Sequence, residues 1–153
     1  MDRLTFWTAW LMVVSFTMAA FGVLMVLFNQ TALFAGLLGE IQRAFSLGGD
    51  ASAGLVQFQA WVYGVWGATV AGFGVLAALV GGNAFARRER WARDALAGAL
   101  VLWYVLDTAV SLASRVWVNA AFNTIVLAGF VLPLAFTWTL FARGKPVDRE
   151  PAA

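Results

Sequence analysis

Polar side chains interrupt this chain so seldom that its plan can be read from where they fall. Four stretches, Leu4 to Phe28, Leu55 to Val80, Ala95 to Val118 and Ala121 to Ala142, are apolar on nearly every face. Each reaches or exceeds the roughly 20 residues that a helix needs to cross a hydrocarbon core. A helix that is hydrophobic all round presents no side to water, so the pattern predicts an all-α protein, a four-helix transmembrane bundle. The bundle forms one domain over residues 1–142, and the remaining "RGKPVDREPAA" (143–153) carries charge and two prolines with no apolar period, which predicts a tail without packed structure. Arg3 and the small pair Ala19 and Ala20 give the first stretch some likeness to a signal peptide, but its apolar run far exceeds the roughly 7–15 residues of such a segment, so it is expected to stay as a span. No internal symmetry relates the two halves of the chain.

A fifth element lies between spans one and two. Leu33, Phe34, Leu37, Leu38, Ile41 and Phe45 recur every three or four residues, while Glu40, Gln42, Arg43 and Ser46 fall off that stripe. This predicts an amphipathic helix in the outer membrane interface, ended by Gly48 and Gly49, and serving either as a float among headgroups or as a lid.

Composition strengthens this reading. Hydrophobic residues make up 62% of the 153 and charged ones 12%, against about 45–50% and about 25% in soluble domains. The net charge of +2 gives no reason to expect a nucleic-acid partner, and the distribution of the charges says more than their sum. With the N-terminus inside, the cytoplasmic side holds Arg3, Arg87, Arg88, Arg90, Arg93, Arg143, Lys145 and Arg149, leaving Arg43 and Arg115 outside. Both termini are therefore expected in the cytoplasm. In "NAFARRERWARD", Glu89 with Arg93 and Arg90 with Asp94 have the spacing of helical ion pairs, and Trp91 fits an interfacial anchor. Such a basic cluster attracts anionic lipid or an acidic partner. The chain has neither cysteine nor histidine, which removes disulfides, thiolate chemistry, histidine-held haem and the usual zinc sites; no metal and no cofactor is expected.

Helices in lipid cohere by close backbone approach and by a few hydrogen bonds. Gly64, Ala68 and Gly72 stand four residues apart on span two and predict the packing face there; Ser15 and Ala19 on span one, and Ala109 and Ala113 on span three, repeat the pattern. Pro133 removes one bond from span four and is expected to kink it.

The most informative polar residue is Asp107, in "WYVLDTAVSLASR". It shares a helix face with Trp103, Tyr104, Ser111 and Ser114. A carboxylate at mid-helix costs about 2.5–3.5 kcal/mol to insert, so it needs company. Tyr63 and Gln59 on span two, and Asn123 on span four with Asn119 just above it, are the candidates at its depth, converging on a pocket in the outer half of the bundle. Two readings stand. Asp107 is a hydrogen-bonded knot pinning span three to its neighbours, or it binds a ligand or carries a proton. Trp7, Trp10, Trp91 and Trp117 fall near span ends as belt residues, and Trp61, Trp66, Trp103 and Trp138 fall further in.

The motifs "RRERWARDALAG", "WYVLDTAVS" and "NAAFNTIVL" together resemble those of small bacterial four-helix membrane proteins of the DoxX-like group. The resemblance covers spans two to four and implies a bacterial inner-membrane location, with no activity to transfer. The leading expectation is a non-enzymatic protein binding a membrane lipid, another apolar small molecule or a partner membrane subunit around Asp107. The alternative is a proton-coupled transporter or channel, completed by homo-oligomerisation or a larger complex. An enzyme ranks last, because no paired carboxylates, histidine or cysteine accompany Asp107.

Overall fold

Asp2 starts the first helix by accepting the backbone N–H of Thr5 at 2.7 Å, a capping bond that also holds its carboxyl below the usual aspartate range. In the computed structural model, which describes residues 1–45 and 53–141, this helix, α1, runs Arg3–Phe28. The amphipathic α2 follows over Ala32–Ala44, then α3 over Ala53–Val80, α4 over Arg90–Ala113 and α5 over Trp117–Thr137. A π-helical turn, Gly81–Phe85, extends α3, and a 3-10 turn, Trp138–Leu140, extends α5. The fold is an all-α bundle in which four helices are long and apolar enough to cross a membrane, the makeup of a multi-pass membrane protein. Ser46, the predicted helix end at Gly48 and Gly49, and the tail carrying Arg143, Lys145 and Arg149 lie outside the described residues.

Helix α4, the third span, begins and ends five residues earlier than the apolar run Ala95 to Val118. Its true end is a turn that hydropathy cannot see, because Val116, Trp117 and Val118 are as apolar as the helices they join. Arg115 adopts a left-handed backbone, φ 60°, and the N–H of Val116 reaches back to the Ser111 carbonyl at 2.8 Å. That is a Schellman closure with arginine where glycine is usual. The turn between the π segment and α4 repeats it: Arg88 has φ 63° and the Glu89 N–H bonds the Ala84 carbonyl at 3.0 Å.

Helix α1 is the central element, packed on α3 along one side and on α5 along another, while α5 carries α4. The α1–α3 contact is backbone to backbone. A Cβ placed on Gly74 would lie 2.5 Å from the Ala19 nitrogen, one on Gly67 would lie 2.7 Å from the Gly22 carbonyl oxygen, and one on Gly22 would collide with Ala71. The packing face is thus Gly67, Ala71 and Gly74 against Ser15, Ala19 and Gly22. This corrects the expected Gly64, Ala68 and Gly72 face. A Cβ on Gly64 or Gly72 meets nothing within 4 Å, and Ala68 is exposed. Spacings of four and three keep pace with a 3.6-residue helix, whereas a strict four-residue row drifts off the contact. Ser15 and Ala19 serve as expected; Ala109 and Ala113 face outward.

Pro133 finds a partner solution on α1. It has no N–H to offer the Gly129 carbonyl one turn back, and the indole Nε1–H of Trp10 donates to that oxygen at 2.9 Å. Trp10 is therefore an interhelical donor rather than only a belt residue. Below it Trp7 stacks on Phe136 with ring centroids 4.8 Å apart.

At the Arg-rich end, the expected Glu89 and Arg93 pair does not form. Glu89 sits outside the helix, accepting from Arg87 Nε at 2.7 Å and Trp91 Nε1 at 2.5 Å, and these contacts hold its carboxyl below the usual range. Arg93 instead reaches Asp94 at 2.6 Å and lies over the Trp138 ring, 4.0 Å from its centroid. At the opposite end, Asn29 closes α1 by donating to the Met25 carbonyl at 2.8 Å. Beyond it, α2 lies against the bundle, and Phe34 inserts beside Met25 and Tyr63. Leu37, Leu38 and Ile41 also pack there, but Leu33 and Phe45 face outward, so the working stripe is narrower than the sequence suggests.

Candidate functional site

The three-residue turn Ser114 to Val116 makes α4 and α5 a tight antiparallel hairpin, and this sets which of their residues meet. Partners stand symmetrically about Arg115. Ser111 faces Asn119, and Asp107 faces Asn123. Asn119 Nδ2 donates to Asp107 Oδ1 at 2.7 Å and to Ser111 Oγ at 2.7 Å. Asn123 Nδ2 donates to Asp107 Oδ1 at 2.8 Å and to Thr108 Oγ1 at 3.3 Å. Ser111 Oγ lies 3.2 Å from the same Oδ1 and donates to the Asp107 main-chain carbonyl at 2.7 Å. Two amide donors thus converge on one carboxylate oxygen with the Ser111 hydroxyl beside it, and among the described residues no hydrogen bond reaches Oδ2. Asp107 is half-buried in the α4–α5 seam; Asn123 and Ser111 are buried.

The other expected members lie elsewhere. Tyr63 is buried against Met25 and Phe34, and Gln59 accepts from Gln42 Nε2 at 3.3 Å, so both belong to the α1–α2–α3 end of the bundle. The reason is the helix arrangement: α3 is spent on α1 and approaches α4 mainly through the π turn, leaving its opposite end turned away from Asp107. Tyr104 sits lower on the hairpin, its hydroxyl 3.2 Å from Thr124 Oγ1. Ser114 is the C-cap of α4. Trp103 points to the far side of the seam, into a cavity. Thr108 was not anticipated; the symmetric spacing of 107 and 111 with 123 and 119 about a short turn was the available signal.

That cavity, about 340 Å³, lies among α1, α3, α4 and α5. Its walls are Val14, Met18 and Phe21 of α1, Trp66 and Val70 of α3, Trp103 of α4, and Phe122, Asn123, Val126 and Phe130 of α5. The mouth is lateral, between α1 and α5, where Val13, Thr17 and Ile125 also line it and face outward. Thr17 and Asn123 are the two polar side chains on this lining. Of the residues expected to form a pocket, Trp103 and Asn123 alone line it; Asp107 stands behind Asn123 as its support. Phe21 connects the cavity to α2, with its ring 5.1 Å from Phe122 and 5.9 Å from Phe34.

Chemically, the cluster can hold one carboxyl group among amides and hydroxyls. No second acid or base is hydrogen-bonded to it, and among the described residues no three histidine, cysteine, aspartate or glutamate side chains gather to hold a metal ion. The class defined by this fold and site is a multi-pass helical bundle with a side-opening apolar cavity. Compared with known protein families, curated proteins and solved structures, the chain matches none.

Proposed function

We propose that this protein binds a lipid-like or other apolar small molecule in the lateral cavity, with the Asp107 cluster holding the inner wall in shape. The observation that carries the reading is a cavity of about 340 Å³ with aromatic walls, opening sideways between α1 and α5. Ligand sites are generally concave, mostly apolar spaces with few polar groups, of about 300–1,000 Å³. A side opening at mid-helix faces acyl chains, so the ligand arrives from the bilayer. The positive-inside distribution supports a bacterial inner-membrane setting with both termini cytoplasmic, and the DoxX-like motifs agree.

Val126→Trp tests this, because residue 126 is half-buried on the cavity wall and an indole there fills it. Wild-type protein extracted from membranes is expected to carry an apolar molecule detectable by native mass spectrometry, and the folded variant to lose it. Equal retention by the variant refutes the reading. A second reading, proton-coupled transport, draws on one observation: among the described residues no donor reaches Oδ2 of a half-buried carboxyl. It requires pH-dependent flux in vesicles that Asp107→Asn abolishes.

A further inference from the structure

Asn123 is 1% exposed, and its side-chain amide has one orientation available. Its nitrogen faces α4, donating to Asp107 Oδ1 and Thr108 Oγ1. The flipped amide would set a carbonyl oxygen against the carboxylate, two acceptors with no hydrogen between them. Oδ1 of Asn123 therefore faces away from Asp107, and among the described residues no hydrogen bond reaches it. Asn123 is also the one polar residue on the inner wall of the cavity, Thr17 lying at the exposed mouth. An acceptor without a partner on a cavity wall is where a donor on an entering molecule can bind.

The walls restrict what brings that donor. Phe21, Trp66, Trp103, Phe122 and Phe130 give flat aromatic faces. The volume of about 340 Å³ sits near the lower limit of ordinary ligand sites, roughly 300 Å³. This suits a ring better than a two-chained lipid. A second polar group on such a ligand would lose its water against almost wholly apolar walls, where only the Thr17 hydroxyl at the mouth and the indole N–H groups of Trp66 and Trp103 are polar.

Resting on the proposed occupancy of the cavity, we infer that the ligand is an apolar ring compound with a single hydroxyl, a phenol or ring alcohol, whose O–H is donated to Asn123 Oδ1. The same ring with the hydroxyl capped as an ether brings an acceptor to an acceptor and is rejected, as sites built around a buried polar group reject analogues that leave it unpaired.

The test uses the full chain in lipid nanodiscs with thymol and thymol methyl ether, which differ in that hydrogen. Binding is measured by equilibrium dialysis against empty nanodiscs. Thymol is expected to bind about tenfold tighter than the ether, the scale of one net hydrogen bond, and Asn123→Leu to bind both equally. Because Asn123→Leu also strips a donor from Asp107 and can misfold, wild-type protein carrying asparagine labelled with 13C at the side-chain carbonyl supplies a second readout. Thymol is expected to lower the frequency of one asparagine carbonyl band, and the ether to leave it in place. Equal binding of both compounds by wild type, or an unmoved band with thymol bound, overturns the hydroxyl assignment and leaves cavity occupancy standing. Failure of both compounds to bind overturns the cavity reading itself.

Discussion

Trp10 and Pro133 form a coupled pair that a double-mutant cycle isolates. Trp10→Phe keeps an aromatic ring but removes the indole N–H that reaches the Gly129 carbonyl at 2.9 Å. Hydrocarbon supplies no replacement donor, and an acceptor left bare costs about 1–3 kcal/mol. Measured interhelical bonds in membranes average about 0.6 kcal/mol and reach about 1.7. A loss of about 1 kcal/mol from the bond is therefore expected, with a packing loss from the smaller ring added. Pro133→Ala restores a backbone N–H to the turn that lacks one, and this N–H satisfies Gly129 from within α5. In that background Trp10→Phe is expected to cost the packing loss alone, so the two substitutions couple by about 1 kcal/mol. Equilibrium unfolding in mixed micelles by denaturing detergent, run on all four proteins, gives the coupling directly. A value under about 0.5 kcal/mol, within ordinary additivity error, would falsify the assignment of Trp10 as the donor that replaces Pro133's missing bond.

Three further outcomes follow from the packing and the charges. Gly74→Ala drives a methyl to 2.5 Å from the Ala19 nitrogen and should destabilise by about 1–3 kcal/mol, whereas Gly72→Ala meets open space and should be neutral or slightly stabilising; equal effects in the same unfolding assay would return the packing face to Gly72. Asp107→Asn keeps a carbonyl oxygen for Asn119 and Asn123 and should fold nearly as wild type, while Asp107→Ala should lose on the order of 1–3 kcal/mol, less than two separate bonds because Asn119 retains Ser111 and Asn123 retains Thr108. If the alanine variant proves as stable as the asparagine one, the cluster does not hold the hairpin. The Glu89 carboxyl is held below the usual range by Arg87 and Trp91, so its contacts are complete above the unfolded glutamate value of about 4.3 and are lost only as pH falls through a lower folded value. The Trp91 indole N–H resonance should titrate below about pH 4.3, and a midpoint at or above that value contradicts the pairing.

Sequence periodicity carried the architecture because hydropathy over a span is a strong signal: four spans and an amphipathic α2 need no tertiary information. Asp107 with Asn119, Asn123 and Ser111 was legible for a related reason, since their order along two adjacent helices leaves little choice of neighbours. Tyr63 and Gln59 were misassigned because depth alone says nothing of azimuth; α3 offers them at the right end of the bundle but turns them toward α1 and α2. The choice between Gly64, Ala68 and Gly72 and the true Gly67, Ala71 and Gly74 required the complementary row on α1, where Gly22 completes Ser15 and Ala19. The cavity was invisible, as it arises where bulky side chains of four helices fail to fill the space between them.

The short turn at Arg115 bears on how the chain enters its membrane. A solitary acid is the hardest passenger for a helix leaving the insertion machinery, yet here its hydrogen-bond donors emerge 12 and 16 residues later, at Asn119 and Asn123. The α4–α5 pair can therefore fold on itself as a self-sufficient unit and partition together, without waiting for α1 or α3 to shield the carboxyl. Assembly then reduces to docking two preformed hairpin-like halves, α1 with α3 through their glycines and α4 with α5 through their polar ladder, along the seam where Trp10 meets Gly129.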